Sequence, residues 1–202
     1  MMILRTSPPS PYGRKIKIAA SLLNLDKDIT VETADTNDPA DSLRIQNPVG
    51  KIPILVLPDG LTLFDSRVIM EYLDHLAGGG RIIPTEPGAR FRTLRLQALA
   101  DGILDASLLL VYETRFRPED RRERKWTDYQ SEKVKRGLDV LEKDPPVVGA
   151  MPDAGQIALA CALGYQDLRF QGLWRKSYPK LVAWLDDFAR RIPSFGKTKV
   201  EA

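Results

Sequence analysis

The chain has 202 residues, 43% of them hydrophobic, enough for one large domain or two small ones around a sizeable core. With 30 basic and 27 acidic residues the net charge is only +3, too small an excess to point to nucleic acid. One cysteine, Cys161, excludes an internal disulfide and a Cys-x-x-Cys redox pair, while one histidine, His75, excludes a multi-histidine metal site and fits a Ser-His-Asp hydrolase poorly.

The opening MMILRTSPPS has no long apolar run and no small-residue cleavage site, so no signal peptide is expected. No stretch approaches the ~18 apolar residues of a membrane span. The expectation is a cytoplasmic protein with neither a membrane nor a nucleic acid as partner. Met2–Thr6 reads as a strand. Across 12–23, Ile16, Ala19, Ala20 and Leu23 repeat at helical spacing. A second strand is expected over 28–32. Asp38-Pro39 resembles an N-cap followed by proline at the first helical position, opening a short helix to about Ile45. Residues 52–57 read as a third strand, and Pro58-Asp59-Gly60 turns it into a fourth over 61–64. A helix over 66–76 carries Val68, Ile69, Tyr72, Leu73 and Leu76. Strands joined through a helix run parallel, and a tight hairpin runs antiparallel, so a four-stranded mixed sheet is predicted.

Gly78-Gly79-Gly80, Pro84 and Pro87 mark a linker over 78–88, dividing an N-terminal domain (1–77) from a C-terminal one (89–202). The latter is all-helical in pattern. One helix is predicted over 89–116, with Leu94, Ala98, Asp101, Asp105 and Leu108 on one side. A second follows over 119–141, a third over 155–170, and a last from Pro179 through Leu181, Trp184, Leu185, Phe188 and Ile192. Cys161 sits on an apolar stripe and reads as a packed thiol. His75, near a helix end, reads as solvated or dipole-stabilised. The mixed-sign run 117–125 reads as a solvated face.

Three stretches carry chemistry. In VGKIPILV (49–56) a proline stands at a strand entrance. It is either a tolerated first-position proline or a cis Ile52–Pro53 bond that turns the Ile52 N–H and C=O toward an added extended peptide. In SPPSPYGRK (7–15) the hydroxyls lie near a helix N-terminus, which favours an anion; ordinary capping by Ser10 with Pro11 at N1 also accounts for them. Asp65-Ser66 is an N-cap pair, or else a grip on an α-amino acid head: carboxylate acceptors for its ammonium, N–H and O–H donors for its carboxylate.

In this order the stretches resemble the cytosolic glutathione S-transferase family. NPVGKIPILVLPDGLTLFDSRVIMEYL (47–73) looks like its N-terminal signature, and SPYGRK (10–15) like its first-helix entrance. LQALADGILDA (96–106) and IALACALGY (157–165) are similar to its C-terminal domain, in particular to a bacterial YibF-like branch. The resemblance implies a thioredoxin-like N-terminal domain, an all-helical C-terminal domain and a homodimer. It implies a cis Pro53, Ile52 pairing with the cysteinyl part of glutathione, Lys51 reaching the glycyl carboxylate, and Asp65 and Ser66 holding the γ-glutamyl end. Asp101 matches an acidic position that in many relatives reaches the γ-glutamyl ammonium bound by the partner subunit; a role between helices of its own subunit fits equally. The family's Ser/Thr-x-x-Asp capping box is here Asp153-Ala-Gly-Gln156, which caps in the same reciprocal way.

Other branches activate the thiol with tyrosine or cysteine in the first loop. Here cysteine is absent from it and Tyr12 lies inside the helix start, so a serine is the available group: Ser10, with Ser7 in reserve. The implied function is transfer of the glutathione thiolate, glutathione being co-substrate with no metal, to a small hydrophobic electrophile, in the service of detoxification. Tyr12, Asp105, Leu109 and Tyr112 are candidate liners of the electrophile pocket; for Leu109 packing between helices is the favoured reading. A non-catalytic ligand-binding or stress-associated protein on the same fold, or a glutathione-dependent peroxidase or reductase, is the alternative.

Overall fold

The computed structural model describes residues 1–200. Its first part is a four-stranded sheet in the order β2-β1-β3-β4. β1 (Met2–Thr6) runs parallel to β2 (Ile29–Thr33) and is joined to it through α1 (Pro11–Leu22). β3 (Ile54–Val56) lies antiparallel to β1 and forms a hairpin with β4 (Thr62–Leu63). The expected mixed sheet is present, with its last three strands shorter or shifted by one residue.

Pleating sorts the side chains. Leu4 stands opposite Leu55, and with Met2 and Leu57 they pack against Ile16 and Ile18 of α1 and Ile69 and Leu73 of α3 (Ser66–Leu76). Ile54, on the other face, packs with Ala34 and with Leu43 of α2 (Leu43–Gln46). α2 begins later than Asp38-Pro39 suggests. Asp38 closes its own turn by accepting from Ala40 N at 2.8 Å, and Asp41 accepts from Leu43 N at 2.8 Å while pairing with Arg5 at 2.6 Å.

The chain leaves α3 through Gly78, Gly79 and Gly80, all at positive φ. The rest is helical: α4 (Pro87–Phe116), α5 (Arg124–Lys143), α6 (Ala154–Phe170), α7 (Pro179–Arg191) and α8 (Pro193–Lys197). α5 starts five residues later than the sequence suggests, because Glu119–Arg121 forms a separate 3-10 turn and Glu123 caps by accepting from Lys125 N at 3.0 Å. α8 has no counterpart in the sequence reading. α6 is the central helix, with Ile157 through Leu163 fully buried against α4 and α1. Gly155 lets it approach: a Cβ there would stand 2.7 Å from the Thr93 carbonyl. Its start carries the predicted capping box, Asp153 Oδ1 accepting from Gln156 N at 2.8 Å and Gln156 Oε1 from Asp153 N at 3.1 Å. The architecture is a thioredoxin-like unit followed by an all-helical one.

Candidate functional site

Strand direction gathers the site. β3 is antiparallel to both β1 and β4, with Arg5 opposite Ile54 and Leu55 opposite Leu63. The end of β1, the start of β3 and the end of β4 therefore lie at one end of the sheet. They deliver three segments there: 7–10, 50–53 and 64–66.

The first segment ends in an N-cap. Ser10 Oγ accepts from Gly13 N at 3.1 Å, Pro11 brings no N–H, and the Arg14 N–H goes to the Ser10 carbonyl. Ser10 is 9% exposed. Gly13 fixes this geometry, since a Cβ on it would meet Thr6 Oγ1 at 1.9 Å. In the second segment Asn47 Oδ1 accepts from Val49 N at 3.1 Å and its Nδ2 donates to the Lys51 carbonyl at 2.9 Å. Gly50 has a φ of 63°, and the Ile52–Pro53 bond is cis, as the resemblance implies. Ladder pairing of β3 begins only at Ile54. In the third segment the Phe64–Asp65 bond is also cis. Asp65 caps α3 by accepting from Arg67 N at 2.9 Å, and the Ser66 hydroxyl stands at the first turn, where N–H groups are free of intrahelical partners.

Opposite these segments stand α4 and α6. Asp105, Leu108, Leu109, Tyr112 and Arg115 follow one stripe of α4, and Tyr165 and Arg169 are one turn apart on α6. Together the segments and helices enclose a cleft of ≈ 560 Å³. Of the residues singled out in the sequence, Ser10, Tyr12, Lys51, Ile52, Pro53, Asp65, Ser66, Asp105, Leu109 and Tyr112 all line it, as does Ser7. Leu109, expected between helices, is instead 37% exposed in the cleft wall.

Asp101 does not line the cleft. It is 1% exposed, and its two oxygens are taken within the chain by Lys15 Nζ of α1 at 2.5 Å and Arg67 Nε of α3 at 2.9 Å. Its hydrogen bond raises the Arg67 guanidinium further above its ordinary range. The carboxylate thus ties α4 to both helices whose N-termini face the cleft.

The Tyr12 hydroxyl donates to Asp105. Burial first, and this bond next, push the phenol far above its ordinary value, so Tyr12 is a neutral donor at any physiological pH. Cys161 lies outside the cleft, fully buried, and burial pushes its thiol up to about 11. His75 is exposed. Among the described residues no cluster of His, Cys, Asp or Glu could hold a metal. Sequence reasoning missed Arg115, Tyr165 and Arg169. The available signal was the continuation of the Tyr112 stripe by Arg115, and the i, i+4 spacing of Tyr165 and Arg169.

Comparison with known proteins matches the glutathione S-transferase N-terminal domain family to residues 9–76 and the glutathione S-transferase C-terminal domain family to residues 112–187. The uncharacterized GST-like protein YibF of Escherichia coli K12 is 36% identical over 98% of both chains. A glutathione S-transferase from Methylobacillus flagellatus KT, solved with glutathione bound, is 38% identical over 98% of both chains, with a TM-score of 0.90. A glutathione transferase family member from Pseudomonas fluorescens Pf-5, solved with S-(propanoic acid)-glutathione, is 37% identical over 98% of this chain and 99% of that one, with a TM-score of 0.86.

Proposed function

The chain belongs to the glutathione S-transferase family, and from that premise we propose that it conjugates the glutathione thiolate to small electrophiles. The observation that carries this reading is the convergence of Ser10, Ile52–Pro53 and Asp65–Ser66 on one cleft through three loops at the same end of the sheet. Glutathione is an extended peptide with an amino acid head at one end and a carboxylate at the other. The Ile52 backbone offers strand-like pairing to its cysteinyl part. Ser66, at the N-terminus of α3, donates to the γ-glutamyl carboxylate, and Asp65 accepts from the ammonium. Lys51 receives the glycyl carboxylate. The sulfur then lies at the start of α1, where the Ser10 hydroxyl donates to it and the helix field favours the anion.

The thiol proton leaves to solvent. The sulfur forms a bond to the electrophilic carbon as the leaving group departs with its electron pair. Leu108, Leu109 and Tyr112 cover the apolar body of the electrophile, and Tyr12 and Asp105 border it. That both solved relatives named above hold glutathione or a glutathione conjugate supports the reading. We extend it to a cytoplasmic homodimer acting in detoxification. Calorimetry with glutathione at up to millimolar concentration tests the premise: one site per chain is expected, weakened in Ser66→Ala. No heat of binding at that concentration would overturn it.

A further inference from the structure

Two arginines of the cleft have no acidic partner among the described residues. Arg115 and Arg169 both line it, yet neither joins any ion pair among the described residues. Arg169 Nε is buried without a hydrogen-bond partner among the described residues. The guanidinium therefore carries hydrogen-bonding capacity and a charge that no carboxylate among the described residues meets, beside a cleft that it lines. The guanidinium centres lie 5.6 Å from the Tyr112 ring centroid for Arg115 and 5.8 Å from that of Tyr165 for Arg169. Burial raises the Tyr165 phenol, and the charge and hydrogen bond of Arg169, then the charge of Arg115, oppose that rise. The acidic residues of the cleft stand elsewhere. Asp105 is engaged by Tyr12 and lies ten residues before Arg115 on α4, ~15 Å along the axis at ~1.5 Å per residue.

We infer that Arg115 and Arg169 receive a carboxylate carried by the electrophile, so that the preferred acceptor substrate is an acid with an apolar body rather than a neutral hydrophobic molecule. This rests on the proposed reaction, since it assigns the second substrate of the same cleft. Leu108 and Leu109 contact the body, while the planar guanidinium groups offer paired N–H donors to the two carboxylate oxygens. With a halogen-bearing acid the thiolate sulfur attacks the carbon, the C–S bond forms, and halide leaves with the C–halogen electron pair. The carboxylate is untouched throughout and serves only to orient.

The test compares matched conjugates by calorimetry: S-(2-carboxyethyl)glutathione with its 2-carbamoylethyl amide, and S-(4-carboxybenzyl)glutathione with its carboxamide. At least one acid is expected to bind about tenfold tighter than its amide, one charge-assisted contact being of that order. Arg115→Gln and Arg169→Gln should each shrink that ratio toward one while leaving the Kd for unmodified glutathione unchanged, and Arg169→Lys should restore part of it. Should Arg169→Gln fail to fold, Arg115→Gln decides, and an acid-to-amide ratio that persists undiminished in it overturns the assignment. Glutathione binding with no discrimination in either pair overturns the assignment of the arginines and leaves the proposed function standing. Absence of glutathione binding overturns the proposed function, and the assignment with it.

Discussion

The Ser10 hydroxyl accepts one bond, from the Gly13 N–H at 3.1 Å, and keeps its own proton to give. Capping and thiol activation are therefore compatible in one side chain, and a substitution separates them. Ser10→Ala should cost about 1 kcal/mol of stability through the lost cap. In the proposed reaction it should also raise the pH at which the ultraviolet thiolate absorbance of bound glutathione titrates. Each unit of that rise corresponds to about 1.4 kcal/mol and to roughly tenfold in kcat/KM where thiolate supply limits the rate. Ser10→Thr should retain both. A stability loss with an unmoved titration would leave Ser10 a cap, and a titration that moves only in Ser7→Ala would transfer the role to Ser7. Cys161 is the opposite case, a thiol held neutral. Burial lifts it from 9.0 to about 11, so the unfolded chain ionises first as pH rises. Its contribution is complete below pH 9 and is lost between pH 9 and 11, by about 3 kcal/mol at most. Urea melts at pH 8 and 10.5 should show a steeper decline for the native chain than for Cys161→Ala. Equal declines would mean that the thiol ionises in place.

At the scale of elements, α3 is the best-cued piece of the chain. Asp65 caps it, its apolar residues keep the period, and glycines at positive φ end it, so sequence and structure agree from Ser66 to Leu76. The start of α5 and the whole of α8 were not legible for definite reasons. The cap of α5 is a glutamate placed after a 3-10 turn, and α8 spans five residues, too few for a period. Within the cleft, residues on the three loops are signalled by local turn chemistry and spacing. Arg115 and Arg169 carry only helical spacing as a signal, because they belong to distant segments that only the packing of α4 on α6 brings together. The exit from α3 carries its own prediction. The buried Asp74 carboxylate accepts from the N–H groups of Gly80 at 2.8 Å, Arg81 at 2.9 Å and Ile82 at 2.7 Å. The Ile82 carbonyl in turn accepts from Ala154 N, at the start of α6, at 2.8 Å. Asp74→Ala orphans these donors and should lower stability by on the order of 3 kcal/mol, seen as a lower urea midpoint with an unchanged slope. Asp74→Asn, which keeps one acceptor oxygen, should lose less. A loss under about 0.5 kcal/mol in Asp74→Ala would show that the glycine turn holds without its anchor.

For the whole molecule the question is what makes the two units one site. The cleft draws one wall from the loops at one end of the sheet and the other from α4 and α6, so its shape depends on how the units are fastened. Asp101 is the buried charged fastening among several ties: one carboxylate oxygen holds Lys15, fully buried on α1, and the other holds Arg67 on α3. Replacing Asp101 by alanine leaves the Lys15 ammonium buried without a counter-charge. The cost of breaking such a pair is about 3–5 kcal/mol, far above that of an exposed one. Removing both members returns most of it, so Lys15→Met in the Asp101→Ala background should recover stability rather than lose more. The homodimer proposed above makes a different forecast for the same residue. An Asp101 that reached across to the glutathione of the other subunit would, when removed, weaken binding only at protein concentrations where sedimentation shows the dimer, and would leave the thermal midpoint nearly unchanged. The fastening forecasts a lower midpoint at every protein concentration. It also forecasts weaker glutathione binding in the monomer, because α1 and α3 bring Ser10 and Ser66 to the cleft together. Midpoints and calorimetric affinities of Asp101→Ala, taken across a dilution series spanning dissociation, separate the two. A concentration-dependent affinity loss with an unmoved midpoint would sink the fastening.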